Sequence, residues 1–528
     1  MALLRRPAQY TRVNALMTAN PRESPYNTTQ KIVRLLPALS GIAILVTNPW
    51  FTIVDDECAI VDAAFNPVRV TLSAFAQANG QHHHPPLSDI FLHYWLLLTH
   101  ANLSLLRLPF PLFYVLGAYA LGLAAKRLGG VNSELWVLGI VALWPYGFHY
   151  ARVAAWYSFC FAAVSLLTLA YLRFMESRTR SNWIWLVVAI LALVYSNYFG
   201  WVLVGFLALD SFLKYRDKLS KWWLSFTATA AAILILYLPI IRVFFVLIHK
   251  QGVFHVSPVS SAAFGAYTLY CTFVSESVGP WFWYLGIPAC VAIGACLLLT
   301  LRLSPWTVKW FFLYYLAAFG TLVIAHIEEA KHIVLVGPWL ILSIGVTIGT
   351  IGSGKGRNAL ILSMLVPGLI GWIGIVDRHL YAAPHWVEPW GEVAQESAAV
   401  VRNGGIVLGI NPSFFCYLTY DLPADNPPGS GKIWGILPNT VRHSNVFTPE
   451  QWLQEGRPMA HNLLVVNGMH FDIPDEPSRQ AENLIESACM LKSDRRLVYD
   501  AGAKWKRKFA PEMGERDWRV EVRSYSCP

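Results

Sequence analysis

Apolar runs of bilayer length recur over the first three-quarters of the chain, separated by short polar loops. They lie at about 35–53, 106–125, 134–150, 154–173, 183–197, 199–213, 223–247, 281–301, 310–326, 333–350 and 358–376. A helix crosses a hydrocarbon core with roughly 20 apolar residues, fewer where it is short or lines a cavity. The pattern predicts an α-helical polytopic membrane protein of about eleven transmembrane helices, give or take two. Asn197-Tyr198-Phe199-Gly200 is a weak break, so 183–213 reads as two spans or as one kinked segment.

Residues 54–105 depart from this rhythm. Leu87–Leu105 is apolar but opens after Pro85-Pro86, which suits a helix start. Leu87, Ile90, Phe91, Tyr94, Leu97 and Leu98 share one face at helical spacing, which favours a helix lying in the interface over one that spans. Residues 57–79 read as one or two further interfacial helices. The stretch 248–280, rich in Ser, Gly and aromatics, reads as a long outer loop carrying His249, Lys250, His255 and Glu276. From about 378 the pattern changes again. Gly404–Ile410 and Asn462–Val466 read as buried strands, Glu388–Arg402 and Arg479–Met490 as amphipathic helices, and Trp518–Tyr525 as an alternating edge strand. The expected organisation is a cytoplasmic segment 1–34, a transmembrane unit 35–377 and a small extracytoplasmic α/β domain 378–528.

Composition agrees. Of 528 residues, 55% are hydrophobic and only 14% charged, against roughly 25% charged in soluble proteins. Mean hydropathy is +0.43. Twenty-two Trp and 23 Tyr suit many membrane–water interfaces. The net charge of +9 does not point to nucleic acid, because Lys and Arg crowd into alternate short loops. Arg5, Arg6, Arg12, Arg22, Lys31 and Arg34 precede the first run, and Lys126, Arg127, Arg173, Arg178, Arg180, Lys214, Arg302, Lys309, Lys355 and Arg357 fall in every second loop. The opposite loops hold only Arg69, Arg107, Arg152, Arg242, Lys250 and Lys331. The asymmetry sets the N-terminus in the cytoplasm and the acidic loop after the first run outside. That first run reads as a retained signal anchor. Cys160, Cys290 and Cys296 read as core thiols; a disulfide among Cys416, Cys489 and Cys527 is open.

Candidate chemistry sits where the first run leaves the membrane, at Asp55-Asp56-Glu57. Adjacent carboxylates beside a bilayer are either a solvated stop or a working base. A carboxylate crowded by two others and partly desolvated has the raised pKa that lets it take a proton from a sugar hydroxyl. His82-His83-His84-Pro85-Pro86 is either a polar lead-in to a helix or a phosphate-binding element. Three adjacent His do not share a helix face, but one joined by an outer-loop Glu could hold a divalent metal ion. Arg152 is either a snorkelling side chain or a partner for a lipid phosphate or for the acidic loop. Lys331 and His332, beside Glu328 and Glu329, form either a self-neutralising cluster or a phosphate site. The basic run Lys504–Lys508 reads as a solvated face. No Walker A loop, HExxH or GxSxG occurs, so an already activated lipid substrate fits better than a nucleotide.

The order of these motifs resembles the protein O-mannosyltransferase-like and aminoarabinose transferase-like membrane glycosyltransferases of GT-C architecture. It runs Asp56-Glu57 after one span, then His84-Pro85-Pro86-Leu87, then Arg107-Leu108-Pro109 opening the next span and Lys126-Arg127-Leu128-Gly129-Gly130 closing it. The resemblance is strongest over about 40–175, continues as hydropathy to about 376, and is loose in the C-terminal part. It implies a polyprenyl-phosphate-linked sugar donor, transfer with inversion to a glycolipid, glycan or protein, and a bacterial plasma-membrane location. It implies Asp56 as the catalytic acidic position with Glu57 its companion; Asp55 allows a slip of one in register. His84 falls at the donor-phosphate position, with His83, Arg152, Lys331 and His332 as further candidates. The Arg-Tyr that members often carry before a late span is Lys331-His332 here. The chief rivals are a transporter or flippase of lipid-linked sugars, which predicts charges within spans and an internal repeat, and a glycan-binding sensor.

Overall fold

The computed structural model describes residues 27–53, 57–58, 60–61, 64, 66–76, 84–99, 103–215, 227–238, 240–241, 243, 258–325, 330–382, 386–409, 414, 417–418, 445–469, 476–498 and 519–528. Its first helix, α1 (Thr28–Val46), starts with a capping box between Asn27 and Gln30 and ends at Thr47 ahead of Pro49. It runs seven residues earlier than the apolar count predicts, because Asn27 supplies the cap. Short interfacial elements follow: α2 (Val68–Ala76), α3 (Leu87–Leu98) and α4 (Leu103–Leu106). On α3 the apolar face with Tyr94, Leu97 and Leu98 is exposed, while Ser88, Asp89, Leu92 and Leu96 pack inward. This is the orientation of a helix resting on lipid.

The helical body comprises α5 (Pro109–Ala142), α6 (Pro145–Tyr150), α7 (Trp156–Glu176), α8 (Arg180–Val194), α9 (Gly200–Tyr215), α10 (Thr227–Leu238), α11 (Pro258–Val274), α12 (Trp283–Leu303), α13 (Trp306–Ile324), α14 (Ile333–Thr350) and α15 (Lys355–Val376). Among the described residues seven helices are long and apolar enough to cross a membrane, namely α1, α5, α7, α12, α13, α14 with its leading turn, and α15. α5 joins two expected spans through a kink at Gly130, whose φ of 79° only glycine adopts at little cost. The expected span 134–150 is cut at Leu143–Trp144 by Pro145, which begins α6. The expected outer loop 248–280 instead carries α11 over 258–274. Its Ser, Ala and Gly residues, read as loop formers in water, are the residues that let helices approach closely in a membrane.

α14 is the axis of the body. Almost every side chain on it is buried, and it packs on α5 and α7. A side chain on Gly345 would overlap Val137, and one on Gly349 would overlap the backbone of Ser133, so α5 and α14 touch through their backbones. Far from the acidic loop, Arg34–Glu134 at 2.6 Å ties α1 to α5 and Arg127–Glu176 ties α5 to α7, while Lys214–Asp210 at 2.7 Å lies within α9.

The C-terminal part is a five-stranded mixed sheet between helices. β1 (Ile406–Gly409) lies parallel to β2 (Val446–Phe447) and to β3 (Asn462–Met469), while β5 (Arg519–Ser526) runs antiparallel to β3 and to β4 (Met490–Val498). The order is β2-β1-β3-β5-β4. α16 (Trp390–Arg402) covers one face over Val407, Leu464, Val520 and Val522. α17 (Pro449–Gln454) and α18 (Glu476–Ala488) cover the other over Ile406, Leu408, Leu463 and Tyr525. The strand expected at the edge, 518–525, is interior. The edges are β2 and β4; the sequence pattern assigns no element to β4 beyond Met490, where the expected helix ends, and its exposed Lys492, Arg495 and Arg496 suit an edge. Cys489 and Cys527 form a disulfide across the ends of β4 and β5.

Candidate active site

The site begins with the backbone between α1 and the acidic loop. Thr47, the turn Asn48–Trp50 and the extended residues Phe51–Ile53 carry the chain toward Asp55 and Asp56, which lie outside the described residues. Glu57 is described and has no exposed surface. Its Oε1 accepts from Arg107 Nε at 2.8 Å and its Oε2 from Arg107 Nη2 at 2.6 Å, and the Ala154 N–H donates to Oε1 at 2.9 Å. The same guanidinium donates to the carbonyls of Phe51 at 3.0 Å and Thr52 at 2.7 Å. A planar five-donor group can serve both partners at once, which a lysine could not. Arg107 occupies the turn just before Pro109, so the start of α5 holds both ends of the acidic loop's first residues.

Arg152 is also fully buried. It donates to the Thr47 carbonyl at 3.2 Å and the Phe148 carbonyl at 3.3 Å, and its guanidinium carbon lies 3.8 Å from the Phe51 ring centroid. Burial, and then the nearby Arg107, push its pKa down to about 9. Two arginines thus grip residues 47–52. On the remaining side, the Thr52 N–H donates to the Trp386 carbonyl at 2.9 Å and its hydroxyl to the Glu388 carbonyl. The Ile53 N–H donates to Tyr417 Oη at 3.0 Å. Tyr417 packs both on the core of the sheet and on the small core formed by Ile53, Cys58, Leu92 and Phe110.

A second cluster joins segments far apart in sequence. His84 stands 4.7 Å from the Trp156 ring, Trp156 stands 5.4 Å from His332, and the two histidine rings are 6.2 Å apart. His84 Nδ1 lies 3.5 Å from Asn197 Nδ2, and the Leu87 N–H donates to the Tyr195 carbonyl. The break at 195–199, weak in sequence, therefore turns the chain at the site. Lys331 is anchored by its carbonyl, which accepts from Tyr146 Oη at 3.1 Å, while Tyr146 Oη itself accepts the Val334 N–H.

Beyond these, Glu276 Oε2 accepts from Tyr150 Oη at 2.5 Å and Trp386 Nε1 at 3.1 Å, and the buried His149 ring sits 4.0 Å from Trp386. Burial holds the neighbouring Tyr381 phenol above its usual range, with Arg152 pulling the other way.

Of the candidates, the structure brings together Glu57 with Arg152 through Arg107 and Phe51, and His84 with His332 through Trp156. Asp55, Asp56 and His83 lie outside the described residues, as do Glu328 and Glu329. Among the described residues no group of three His, Cys, Asp or Glu side chains could hold a metal ion. Arg107 enters from the sequence only as a loop cation and through the Arg107-Leu108-Pro109 motif, and Trp156 and Tyr417 do not enter at all. A lone arginine at the outer end of an apolar run was the available signal for Arg107; nothing local marks Tyr417.

No family model matches the chain, and no curated protein does. Among solved structures it is similar to ArnT from Cupriavidus metallidurans bound to undecaprenyl phosphate, at 13% identity and a TM-score of 0.52, over 94% of this chain and 98% of that one. It also matches the archaeal oligosaccharyltransferase AglB from Archaeoglobus fulgidus in complex with an inhibitory peptide and a dolichol-phosphate. That match has 12% identity, a TM-score of 0.43, and covers 84% of this chain and 69% of that one. The likeness to ArnT is one of fold over nearly the whole length. The chain has an ArnT-like fold.

Proposed function

We propose that this GT-C chain is an inverting glycosyltransferase that moves a hexosyl or pentosyl group from a polyprenyl-phosphate donor to a glycolipid, glycan or protein acceptor. The reaction takes place at the outer face of a bacterial plasma membrane. The observation that carries the reading is the convergence of Arg107, Arg152 and Tyr417 on residues 47–57. A solvated stop to a span has no use for two buried guanidinium groups and a buried carboxylate, each costly to desolvate. A base that must be held within a fraction of an ångström of its substrate does.

In this mechanism Asp56, with Asp55 beside it, takes the proton of the acceptor hydroxyl or amine. The acceptor attacks C1 of the sugar from the face opposite the phosphate, the C1–O bond to phosphate breaks, and polyprenyl phosphate leaves with the electron pair. Glu57 is a positioning residue, because its carboxylate is already engaged by Arg107 and the Ala154 N–H. His84, His332 and Lys331 stabilise the departing phosphate; Arg152 works on the lead to the base instead. The disulfide Cys489–Cys527 fits an oxidising compartment for the sheet, on the same side as the acidic loop.

The test is transfer by the purified full chain in lipid discs, with radiolabelled polyprenyl-phosphate sugars and extracted envelope lipids. Asp56→Asn should lower turnover by roughly 100- to 10,000-fold, the usual share of a general base, with folding intact. Near-parental turnover by that variant would overturn the assignment.

A further inference from the structure

Glu276 has no part in the transfer steps above, yet it reaches the lead to the base. It follows α11, in the connection to α12. The turn that presents it is strained. Ser275, with no exposed surface, stands at a φ of 70°, a region that a residue with a side chain enters only at a cost. Such strain persists where the surroundings over-determine the backbone, and it clusters at functional sites. Main chain and side chain of Glu276 each hold the segment that leaves α15. Its carbonyl accepts the Ala382 N–H at 2.8 Å, and the Gly279 N–H donates to the Leu380 carbonyl at 2.8 Å. Its carboxylate takes Trp386, four positions further on, through Nε1 at 3.1 Å, with Tyr150 Oη on the same oxygen at 2.5 Å. Both donors are neutral, so the charge on the acceptor strengthens each bond. Trp386 is buried, T-shaped against the His149 ring at 4.0 Å, and its carbonyl accepts the Thr52 N–H at 2.9 Å. Two hydrogen bonds therefore link the Glu276 carboxylate to the backbone of Thr52, three residues before Asp55.

We infer that Glu276 is a positioning residue for the transfer reaction, acting through Trp386 on Thr52 and so on the approach to the base. Arg107 and Arg152 grip the same lead from the start of α5 and from the turn between α6 and α7; Glu276 grips it from the connection between α11 and α12. This role rests on the reading of Asp56 as the base; the grip on Thr52 does not. The main-chain bonds at 380–382 do not involve the carboxylate. Truncating the side chain should therefore free Trp386 without releasing the segment or the helices that flank it.

The experiment follows the full chain in lipid discs by amide hydrogen exchange and by transfer kinetics, per mole of monodisperse protein. Glu276→Ala should speed exchange over residues 47–53 while α14 stays protected. It should lower kcat by roughly 10- to 100-fold, the cost of a base displaced by about an ångström, with KM little changed. Trp386→Phe cuts the same bond from the other side and should act alike, and the double variant should be no slower than the slower single one. Glu276→Gln keeps an oxygen for Trp386 Nε1 and offers an N–H to Tyr150 Oη, so it should regain most of the lost rate. Unchanged exchange at 47–53 in Glu276→Ala overturns the grip on Thr52, whatever the transfer rate. Parental kcat in Glu276→Ala, with Asp56→Asn inactive, overturns the positioning role alone; parental kcat in both variants overturns it together with the base. Additive losses in the double variant, or a Glu276→Gln chain no faster than Glu276→Ala, also overturn it.

Discussion

Arg107 is where fold and proposed chemistry meet, and its removal gives the sharpest test. In Arg107→Ala the Glu57 carboxylate, with no exposed surface, keeps among the described residues only the Ala154 N–H. The carbonyls of Phe51 and Thr52 lose their donor at the same time. Breaking a buried pair from one side costs about 3–5 kcal/mol, because an uncompensated charge stays behind. At about 2.1 cal/mol/K per residue, a chain of 528 residues then loses about 3–5 °C of thermal midpoint, readable by differential scanning fluorimetry in detergent. A second variant separates the pair's own worth from its work on the backbone. Glu57→Leu with Arg107→Met removes both charges at similar volume, so the part of the loss that comes from the uncompensated charge should return. The two carbonyls still lack a donor, at about 1–3 kcal/mol each, and the lead to Asp55 and Asp56 is still loose. Transfer should therefore stay low in the double variant although its midpoint recovers in part. An Arg107→Ala chain melting within about 2 °C of the parent would refute the clamp. A double variant with parental transfer would refute its connection to catalysis.

Three smaller expectations follow from the same geometry. Tyr417→Phe keeps the ring between two cores but removes the acceptor of the Ile53 N–H; it should cost about 1 kcal/mol of stability and lower kcat more than it raises KM in the transfer assay. Cys489→Ser opens a loop of 38 residues, worth about 4 kcal/mol in the chain-entropy account, and should speed proteolysis of the sheet while leaving the helical body intact. Burial raises the Tyr381 phenol above its unfolded value of about 10. Its contribution is fully present below pH 10 and is lost as pH rises through the folded value, so Tyr381→Phe should lessen alkaline destabilisation in pH-resolved melts.

What was legible in the sequence follows from what hydropathy can report. A span announces itself because each residue meets the same solvent, so α7, α12, α13, α14 and α15 stand close to their apolar runs. β1 and β3 were legible because both faces of them are covered. β4 was not, because an exposed edge carrying Lys492, Arg495 and Arg496 has the composition of a polar helix face. Pairing across distance was not legible either. Arg107 meets Glu57 fifty positions away, and His332 reaches Trp156 and His84 from the other half of the body. Each of these polar residues looks costly beside a bilayer when read alone. The cost is what makes the pairing informative: a membrane-edge arginine with a buried carboxylate and two carbonyls as partners is tolerated because it fixes a backbone. The backbone it fixes here ends two residues short of Asp55. The fold and the candidate base are thus coupled through one short segment, and a change that loosens residues 47–53 should act on transfer even where it spares every acidic side chain.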